Sequence, residues 1–378
     1  MPDISRRIYL DFNASTPVAP EVCAAMADML EQPYGNPSSS NWAGKPGREL
    51  VGEARSRVAG LLGCTPNEVV FTSGGSEANN HALKGVFFAA GRRDIHIITT
   101  RIEHPAVINP CRFLEKLGAK VTYLPVDCYG RVDPDDVRRA LQPNTVLVSV
   151  MHANNEVGTI QPITQIAQIT RTGGILLHTD AAQSVGKISC GVDELGVDLL
   201  SVAGHKVYAP KGVGALYIRN GVCIEPLIHG AGHESGRRAG TESVLLNVAL
   251  GAACDLATRW VGMDSVRILR DLFWRRLQEK FGDRVALNGH PTERLPNTLN
   301  VSFVGQVGAN ILDRMPGVAA STGSACHSGS VELSPVLEAM AIRPEVGMGA
   351  IRFSLGRSTT PDEIESVIES LSIAYRAR

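Results

Sequence analysis

The sequence predicts an α/β protein, with a mostly parallel sheet in a larger domain and a smaller α+β domain. Short apolar runs alternate with helix-length segments through the first two thirds of the 378 residues, a pattern typical of βα units. After about residue 260 the alternation stops, and a chain of this length also suits two domains.

Seven runs in the first part are predicted to form the strands of the larger sheet: 69–72, 95–100, 120–126, 145–151, 175–180, 198–204 and 214–219. Helices are expected to begin near Ser76, Pro105 and Pro134, with another between the fourth and fifth strands. The strands are nearly continuous in apolar residues, as expected for a sheet covered on both faces.

The second part begins with a charged helix over roughly 262–281, followed by strands at 297–303, 318–322 and 350–355 and a final helix from Pro361. The N-terminal segment is expected to return to this part of the fold. We therefore predict a large domain of residues 15–259 and a discontinuous small domain of residues 1–14 and 260–378.

Composition and charge exclude several classes of protein. Lys and Arg number 37 and Asp and Glu 38, so the chain has no net field to attract nucleic acid, and we expect no direct nucleic-acid partner. No apolar run is long enough to cross a membrane, and the N-terminus lacks a signal-peptide pattern, so we expect a cytoplasmic protein. The glycosylation sequons at Asn13 and Asn300 are interpreted as chance.

The segment TSGGSEANN (72–80) lies where a predicted strand ends and a helix begins. Unpaired N–H groups and the positive helix end favour an anion there, and glycines let a phosphate approach the backbone. The segment is neither a Walker loop nor a G-x-G-x-x-G loop. It is either a phosphate site or an ordinary glycine-rich turn.

Asp180 is the last residue of one predicted strand and Lys206 lies just past the next, within HTDAAQS and VAGHKVYAPKGVGAL. A buried carboxylate needs a partner, which a protonated pyridine nitrogen could supply, although capping the next helix is the commoner role of such an Asp. A lysine in a glycine-rich turn suits a Schiff base, although a surface lysine is the default interpretation. In this order, a phosphate cradle, an Asp and a Lys together meet the needs of pyridoxal 5′-phosphate (PLP).

Cys326 lies in GSACHSG, among small residues typical of an exposed mobile loop rather than a core. An exposed thiol near basic groups such as His327 or Arg352 could be a thiolate nucleophile, and the alternative is an unreactive surface cysteine. Arg352 itself could clamp a substrate carboxylate or form a structural ion pair.

The eight cysteines include no C-x-x-C pair, which argues against a disulfide scaffold and a structural zinc site. His229 and His233 are four residues apart, but the glycines around them disfavour a helix and hence a metal site on it. We expect this Gly/Arg-rich loop to contact an anion, and we expect no metal.

The chain resembles the PLP-dependent cysteine desulfurases of the NifS/IscS type, in the class V aminotransferase group with the fold-type I architecture. Blocks in family order carry the resemblance nearly from end to end: YLDFNASTPV, YGNPSS, EVVFTSGGSEANN, EHPAV, VSVMHANNEVGTIQP, HTDAAQSVGK, GHKVYAPKGVGALYIR, GTES, LPNTLNVSF, STGSACHSG and IRFSLGRSTT. It implies a fold-type I PLP-dependent transferase with a seven-stranded sheet in its large domain.

The resemblance implies roles around the cofactor ring. Lys206 would form the Schiff base and later move a proton, and Asp180 would keep the pyridine nitrogen protonated. His104 would stack on the ring, Gln183 would bond the phenolic oxygen, and Asn155 would contact the cofactor and the substrate.

The resemblance also implies how the phosphate is held. Gly75, Ser76 and His205 would bind it, with Thr241 reaching across from a partner subunit, so a homodimer is expected.

For the substrate, the resemblance implies that Arg352 and Asn36 bind the carboxylate of L-cysteine. Cys326 would attack the substrate sulfur, become a persulfide as alanine leaves, and pass the sulfur to an acceptor protein. The spacing between Cys326 and Arg352 suits the long-loop members, whose acceptors are iron–sulfur scaffolds, tRNA thiolation proteins or DNA phosphorothioation systems. The sequence does not choose among these.

Two positions depart from the family pattern. Ala203 stands where most members have a phosphate-binding Ser, which implies one phosphate contact fewer. His327 after the cysteine is similar to selenocysteine lyases, but those carry Asp directly after the ring-stacking His, where this chain has Pro105. We therefore favour cysteine as the substrate.

Three other hypotheses remain besides a desulfurase. A selenocysteine lyase or another PLP-dependent C–S lyase is the alternative enzyme, and a sulfur-delivery scaffold with weak PLP chemistry is the alternative of a different class. A dinucleotide-binding dehydrogenase is disfavoured because no G-x-G-x-x-G follows a strand.

Overall fold

The computed structural model describes residues 7–31, 34–260, 263–322, 326–327 and 330–376. Its strands are β1 Ile8–Tyr9, β2 Val69–Thr72, β3 His96–Thr100, β4 Lys120–Leu124, β5 Thr145–Ser149, β6 Leu176–Asp180, β7 Leu199–Ala203, β8 Gly214–Ile218, β9 Val285–Asn288, β10 Thr298–Phe303, β11 Val318–Ala319, β12 Ser321–Thr322, β13 Cys326–His327, β14 Ser330–Val331 and β15 Ala350–Ser354. Its α-helices are α1 Pro20–Glu31, α2 Gly44–Leu62, α3 Gly75–Ala89, α4 Pro105–Lys116, α5 Pro134–Ala140, α6 Ile163–Thr172, α7 Val192–Leu195, α8 Val244–Thr258, α9 Asp264–Phe281, α10 Gly308–Asp313, α11 Pro335–Ala339, α12 Pro344–Gly347 and α13 Pro361–Arg376.

The larger sheet has seven strands in the order β2-β8-β7-β6-β5-β3-β4. The pairs from β4 to β7 are parallel, and β8 runs antiparallel to both of its neighbours. The prediction of a mostly parallel, seven-stranded α/β sheet is therefore confirmed. Strand β4 ends at Leu124 instead of residue 126, because Pro125 has no N–H to continue the ladder.

Both faces of this sheet are buried. Neighbouring residues along a strand, such as Val70 and Phe71 or Leu199 and Leu200, belong to two different apolar cores. This alternation follows from the two-residue period of a strand, and it explains why the strand sequences are apolar without interruption. The carboxyl ends of the parallel strands all open at one edge of the sheet.

The C-terminal part contains an antiparallel sheet in the order β12-β15-β10-β9. Helices α9 and α13 contribute Phe273 and Leu371 to a separate apolar core beneath it. The N-terminal residues Ile8 and Leu10 join this core, and β1 pairs with β11 in parallel.

We propose the domain division predicted above because the main cores of the two parts share no residue. A smaller apolar cluster, in which Met151 and Val157 pack with Leu337, joins the two parts. Phe12, which falls in the predicted small-domain segment, packs in the core of the larger sheet. Among the helices of the described ranges, none combines the length and apolarity needed to cross a bilayer.

The fold differs from the sequence expectation at one predicted strand and in several elements that were not predicted, among them α1, α2, α8 and β9. The single strand expected at 318–322 is divided at Ala320, because β11 pairs with β1 whereas β12 pairs with β15. Helix α8 was not predicted as an element, since it buries residues on most of its circumference and so lacks a clear apolar stripe. It packs on α2 so closely that a Cβ at Gly251 would lie 2.7 Å from the Cα of Ala54.

Candidate active site

A cavity of about 610 Å³ opens at the carboxyl edge of the larger sheet. Nine of the residues predicted for the site line its wall: Gly75, Ser76, His104, Asn155, Asp180, Gln183, His205, Lys206 and Arg352. They come from six separate stretches of the chain. Five of these stretches lie at or after the ends of strands of the larger sheet, which meet at one edge, and Arg352 comes from β15 of the C-terminal sheet. Their chemical roles stay predictions.

The turn between β2 and α3 forms one end of the cavity. Gly74 has φ 147°, which favours glycine, and the side chain of Glu77 accepts a hydrogen bond from the backbone N–H of Ser73 at 2.8 Å. A Cβ at Gly75 would lie 3.2 Å from the Cβ of Ala203, so a larger residue would crowd the turn. The first N–H groups of a helix have no partner within the helix, so those of α3 are available to an anion in the cavity.

Asp180 ends β6 and is buried, with 6% of its surface exposed. Its Oδ2 accepts a hydrogen bond from Asn79 Nδ2 at 2.7 Å, and its Oδ1 accepts one from the backbone N–H of Ala182 at 2.9 Å. Two neutral donors orient the carboxylate, and no Lys or Arg of the described ranges forms an ion pair with it. A buried carboxylate of this kind suits a cationic ring nitrogen in the cavity.

Lys206 is half-buried in the turn after β7. Its ammonium donates hydrogen bonds to the carbonyl oxygens of Asn13 and, at 2.8 Å, of Ala14. Burial lowers the pKa of Lys206 to about 8, and Arg352 adds to this, whereas Asp11 and Asp180 oppose it. The neutral amine, which is the nucleophilic form, is thus accessible near neutral pH.

Two histidines stand beside Lys206. Removal from water lowers the pKa of His205 to about 4, with Lys206 contributing, and its Nδ1 lies 3.3 Å from Ser15 Oγ. His104 begins α4 and accepts a hydrogen bond from the backbone N–H of Ala106. Desolvation also lowers the pKa of His104, so both rings are neutral at pH 7.

Arg352, on β15, brings the C-terminal sheet to the cavity and is 8% exposed. Its Nη2 pairs with Asp11 Oδ1 at 2.8 Å, and its Nη1 donates to the carbonyl oxygen of Asn155 at 2.9 Å. Arg352 therefore makes a structural ion pair and also faces the cavity. The two alternatives from the sequence, a structural ion pair and a clamp for a substrate carboxylate, are compatible. Asp11 further accepts a hydrogen bond from Ser321 on β12.

Three predicted site residues are not among the cavity lining. Asn36 is exposed, and its side chain accepts a hydrogen bond from the backbone N–H of Ser38. Thr241 is exposed and lines a separate hollow of about 90 Å³. The side chain of Cys326 lies outside what the structure describes, although its backbone pairs with Val331 in a short hairpin.

The residues in or beside the cavity that were not predicted from the sequence include Asn13, Asn79 and Lys187. Asn79 lies three residues after Ser76, hence on the same face of α3, which is a signal that helix spacing could have supplied. Asn13 was interpreted only as a chance sequon, yet it contacts Lys206, Gln183 and Lys187.

The Gly/Arg-rich loop 229–243 is fixed by two ion pairs. Glu234, at a strained positive φ of 52°, accepts hydrogen bonds from both Nη atoms of Arg55 and from the N–H of Phe71. Arg238 pairs with Glu77 on α3 at 2.9 Å. In the described ranges no cluster of three or more His, Cys, Asp or Glu could hold a metal ion.

Replacing Glu234 by glutamine should destabilise the protein by about 2–3 kcal/mol, because the Arg55 guanidinium would lose its charged partner in a buried setting. Urea unfolding measures this. The matched control is Glu365→Gln, which makes the same change in the exposed pair with Arg276 and should have a much smaller effect, because solvent screens that pair. Equal effects of the two changes would contradict the importance of the buried pair.

The fold and this cavity define the chain as a PLP-dependent enzyme of fold type I. The family model "Aminotransferase class-V" matches residues 8–367. Cysteine desulfurase IscS of Dictyoglomus turgidum is 48% identical over 97% of this chain and 94% of its own length. The chain therefore belongs to the class-V aminotransferase family and, within it, to the cysteine desulfurases, as the sequence resemblance predicted.

Solved structures agree with this assignment. A NifS-like protein superposes with a TM-score of 0.91 at 36% identity, covering 98% of this chain and 99% of its own. The structure of SspA in complex with cysteine gives a TM-score of 0.83 at 37% identity over 92% of this chain and 98% of its own. The family cofactor, PLP, fits a cavity that combines an anion cradle, a buried unpaired carboxylate and a lysine of lowered pKa.

Ala203, where most family members carry Ser, lies at the end of β7 beside the cradle. Ala203→Ser should tighten PLP binding by roughly 3- to 10-fold, because a hydroxyl there adds a hydrogen bond to an anionic group. A fluorescence titration of PLP into cofactor-free protein measures this. Ala106→Ser, on the His104 side of the same cavity, should leave the affinity unchanged, and an equal gain there would refute the assignment.

Proposed function

We propose that this protein is a cysteine desulfurase that converts L-cysteine to L-alanine and holds the sulfur as a persulfide on Cys326. The observation that carries the proposal is the convergence of Lys206, Asp180 and the α3 N-terminus on one cavity. The cysteine bound in the SspA structure supports the choice of substrate.

PLP, when bound, withdraws electrons from the substrate and so weakens the bonds around its α-carbon. Asp180 would face the ring nitrogen, since both of its oxygens are already oriented by Asn79 and Ala182. The N–H groups of Gly75 and Ser76, together with His205, would hold the phosphate. His104 would lie against the ring and Gln183 would donate to the phenolic oxygen.

Lys206 is the residue suited to hold and move protons at the substrate carbon. Its pKa of about 8 makes the amine able to accept a proton near neutral pH and to return it afterwards. Arg352 would bind the substrate carboxylate, while its ion pair with Asp11 keeps the guanidinium in place. Asn155 lies beside it, since the Asn155 carbonyl accepts from Arg352.

Cys326 would act on the substrate sulfur. Its thiolate attacks the sulfur, a new S–S bond forms, and the Cβ–S bond breaks with its electron pair passing to the substrate carbon, which takes a proton to become alanine. Cys326 follows Ser321 by five residues, and Ser321 pairs with Arg352 across β12 and β15. Five extended residues span at most about 18 Å, which limits the distance between the Cα atoms of Ser321 and Cys326.

The test compares alanine and sulfide formation from L-cysteine, with a thiol reductant present, for the native protein, Cys326→Ala and Cys128→Ala. Cys128 is an exposed free cysteine and serves as the matched control. All three proteins should bind PLP and turn yellow, and only Cys326→Ala should lose sulfide and alanine formation, by roughly 10³-fold.

Two results would contradict the proposal. Full sulfide release by Cys326→Ala would favour a C–S lyase, and a strong preference of the native protein for selenocysteine would favour a selenocysteine lyase. A native protein that binds PLP but releases neither alanine nor sulfide would favour a sulfur-delivery scaffold.

The sulfur would pass from Cys326 to an acceptor protein, either an iron–sulfur scaffold or a thio-modification enzyme. We further propose a homodimer, which is supported by the exposed Tyr34 and Trp42 and by the position of Thr241 away from its own cavity. Light scattering should give the mass of two chains. A cytoplasmic location fits the free thiols among the described cysteines.

A further inference from the structure

Lys187 lies behind two residues that line the cavity, Asn13 and Gln183, and it is almost completely buried, with 5% of its surface exposed. Its ammonium donates to Gln183 Oε1 at 3.0 Å and to Asn13 Oδ1 at 3.3 Å. Both acceptors are neutral amides, and no carboxylate in the described part of the chain pairs with it. A buried cation without a counter-charge is costly, so its presence needs an explanation.

The cavity beside Lys187 carries an excess of positive groups. Lys206 and Lys211 line it, and Asp180 is the lining carboxylate without a cationic partner, because Glu77 is paired with Arg238. Burial, with smaller contributions from the charges of Lys206 and Arg352, lowers the pKa of Lys187 to about 7. An anionic ligand in the cavity would therefore relieve the repulsion around Lys187.

The contacts of Lys187 also fix the orientation of Gln183. The ammonium form of Lys187 only donates, so Gln183 turns Oε1 toward it. The backbone carbonyl oxygen of Asn13 only accepts, so Gln183 Nε2 faces it, at 2.9 Å. The second N–H of Nε2 has no acceptor among the described residues and remains for a ligand in the cavity that Gln183 lines.

We propose that Lys187 is a positioning residue for PLP: it orients the Gln183 amide toward the cofactor oxyanion, and the negative charge of the bound cofactor offsets its buried ammonium. The proposal rests on the proposed function, in which Gln183 faces the phenolic oxygen. Lys187 would then strengthen PLP binding, and bound PLP would stabilise the folded protein around Lys187, although Lys187 does not touch the substrate.

The test uses Lys187→Met, which removes charge and donors, and Lys187→Gln, which removes the charge but keeps an N–H donor. Lys116→Met, at an exposed position, is the matched control. For each protein the Tm is measured with and without PLP, the Kd of PLP is titrated, and the visible spectrum of the bound cofactor is recorded.

Both Lys187 variants should weaken PLP binding by roughly 10-fold or more, reduce the Tm increase that PLP produces, and shift the visible absorption maximum. Lys116→Met should match the native protein. A purely structural role would instead lower the Tm of both forms equally while the Kd and the spectrum stay native, and this result would overturn the proposal.

Failure of both Lys187 variants to fold without PLP would also overturn it, since the lysine would then be needed for the fold itself. A native protein that gains no visible absorption with PLP would refute the proposed function, which is a separate outcome.

Discussion

Lys206→Ala should lower alanine formation from L-cysteine by at least about 10³-fold, because no other described group offers an amine in the same position. The ammonium of Lys206 is held at the carbonyl oxygens of Asn13 and Ala14, inside the cavity. In the proposed function, its loss would remove both the covalent attachment of PLP and the group that moves the substrate proton. Activity with L-cysteine and borohydride reduction of the PLP-loaded protein measure the two functions separately.

The control for this change is Lys211→Ala, because Lys211 also lines the cavity but is exposed. It should keep a borohydride-fixed cofactor and should lose activity only modestly. Covalent fixation of PLP in the Lys206→Ala protein, at a level comparable to the native protein, would show that another lysine forms the bond.

Asp180→Asn should reduce turnover by roughly 10²- to 10³-fold, the effect of removing one buried electrostatic partner from an active site. Asparagine keeps the size of the side chain, and its single oxygen can still accept from the backbone N–H of Ala182. Its NH2 group can bond Asn79 once the Asn79 amide turns its unpartnered Oδ1 toward it, so the change mainly removes the negative charge. Without that charge the ring nitrogen would lose its proton and the cofactor would withdraw electrons less strongly. Activity and the visible spectrum of the bound cofactor measure both effects.

Asp198→Asn is the matched control for the aspartate. Asp198 is partly buried, and it accepts a hydrogen bond from the N–H of Leu177 and pairs with Arg219, but it is outside the cavity lining. Its replacement should lower stability without changing the cofactor spectrum. Native turnover by Asp180→Asn would rule out the proposed pairing with the ring nitrogen.

The sequence predicts the cavity as far as local rules reach. Asp180 and Lys206 follow strand ends, and parallel strands bring their carboxyl ends to one edge, so their proximity could be anticipated before the structure was known. The glycines before α3 predict an open helix end for the same reason. These inferences need only the position of a residue relative to its own strand or helix.

Other parts of the site depend on contacts that no local pattern encodes. Lys187 appears in the sequence as one more lysine after a glycine, and only the packing of Asn13 and Gln183 around it reveals a buried charge. Likewise, the ion pair of Arg352 with Asp11 joins residues 341 positions apart. Such contacts are fixed by the tertiary fold rather than by propensity.

Asn13 has a consequence for how the protein is made. Its backbone N–H donates to Ser354, 341 residues later, and its side chain contacts Asn297 and Thr298, 284 and 285 residues later. A ribosome adds about 5–20 residues per second, so Asn13 waits roughly 17–70 s for Ser354 to be synthesised. The segment of Asn13 and Ala14, whose carbonyl oxygens accept hydrogen bonds from Lys206, therefore makes its last tertiary contacts only near the end of synthesis. Nascent chains should not retain PLP until translation has almost ended.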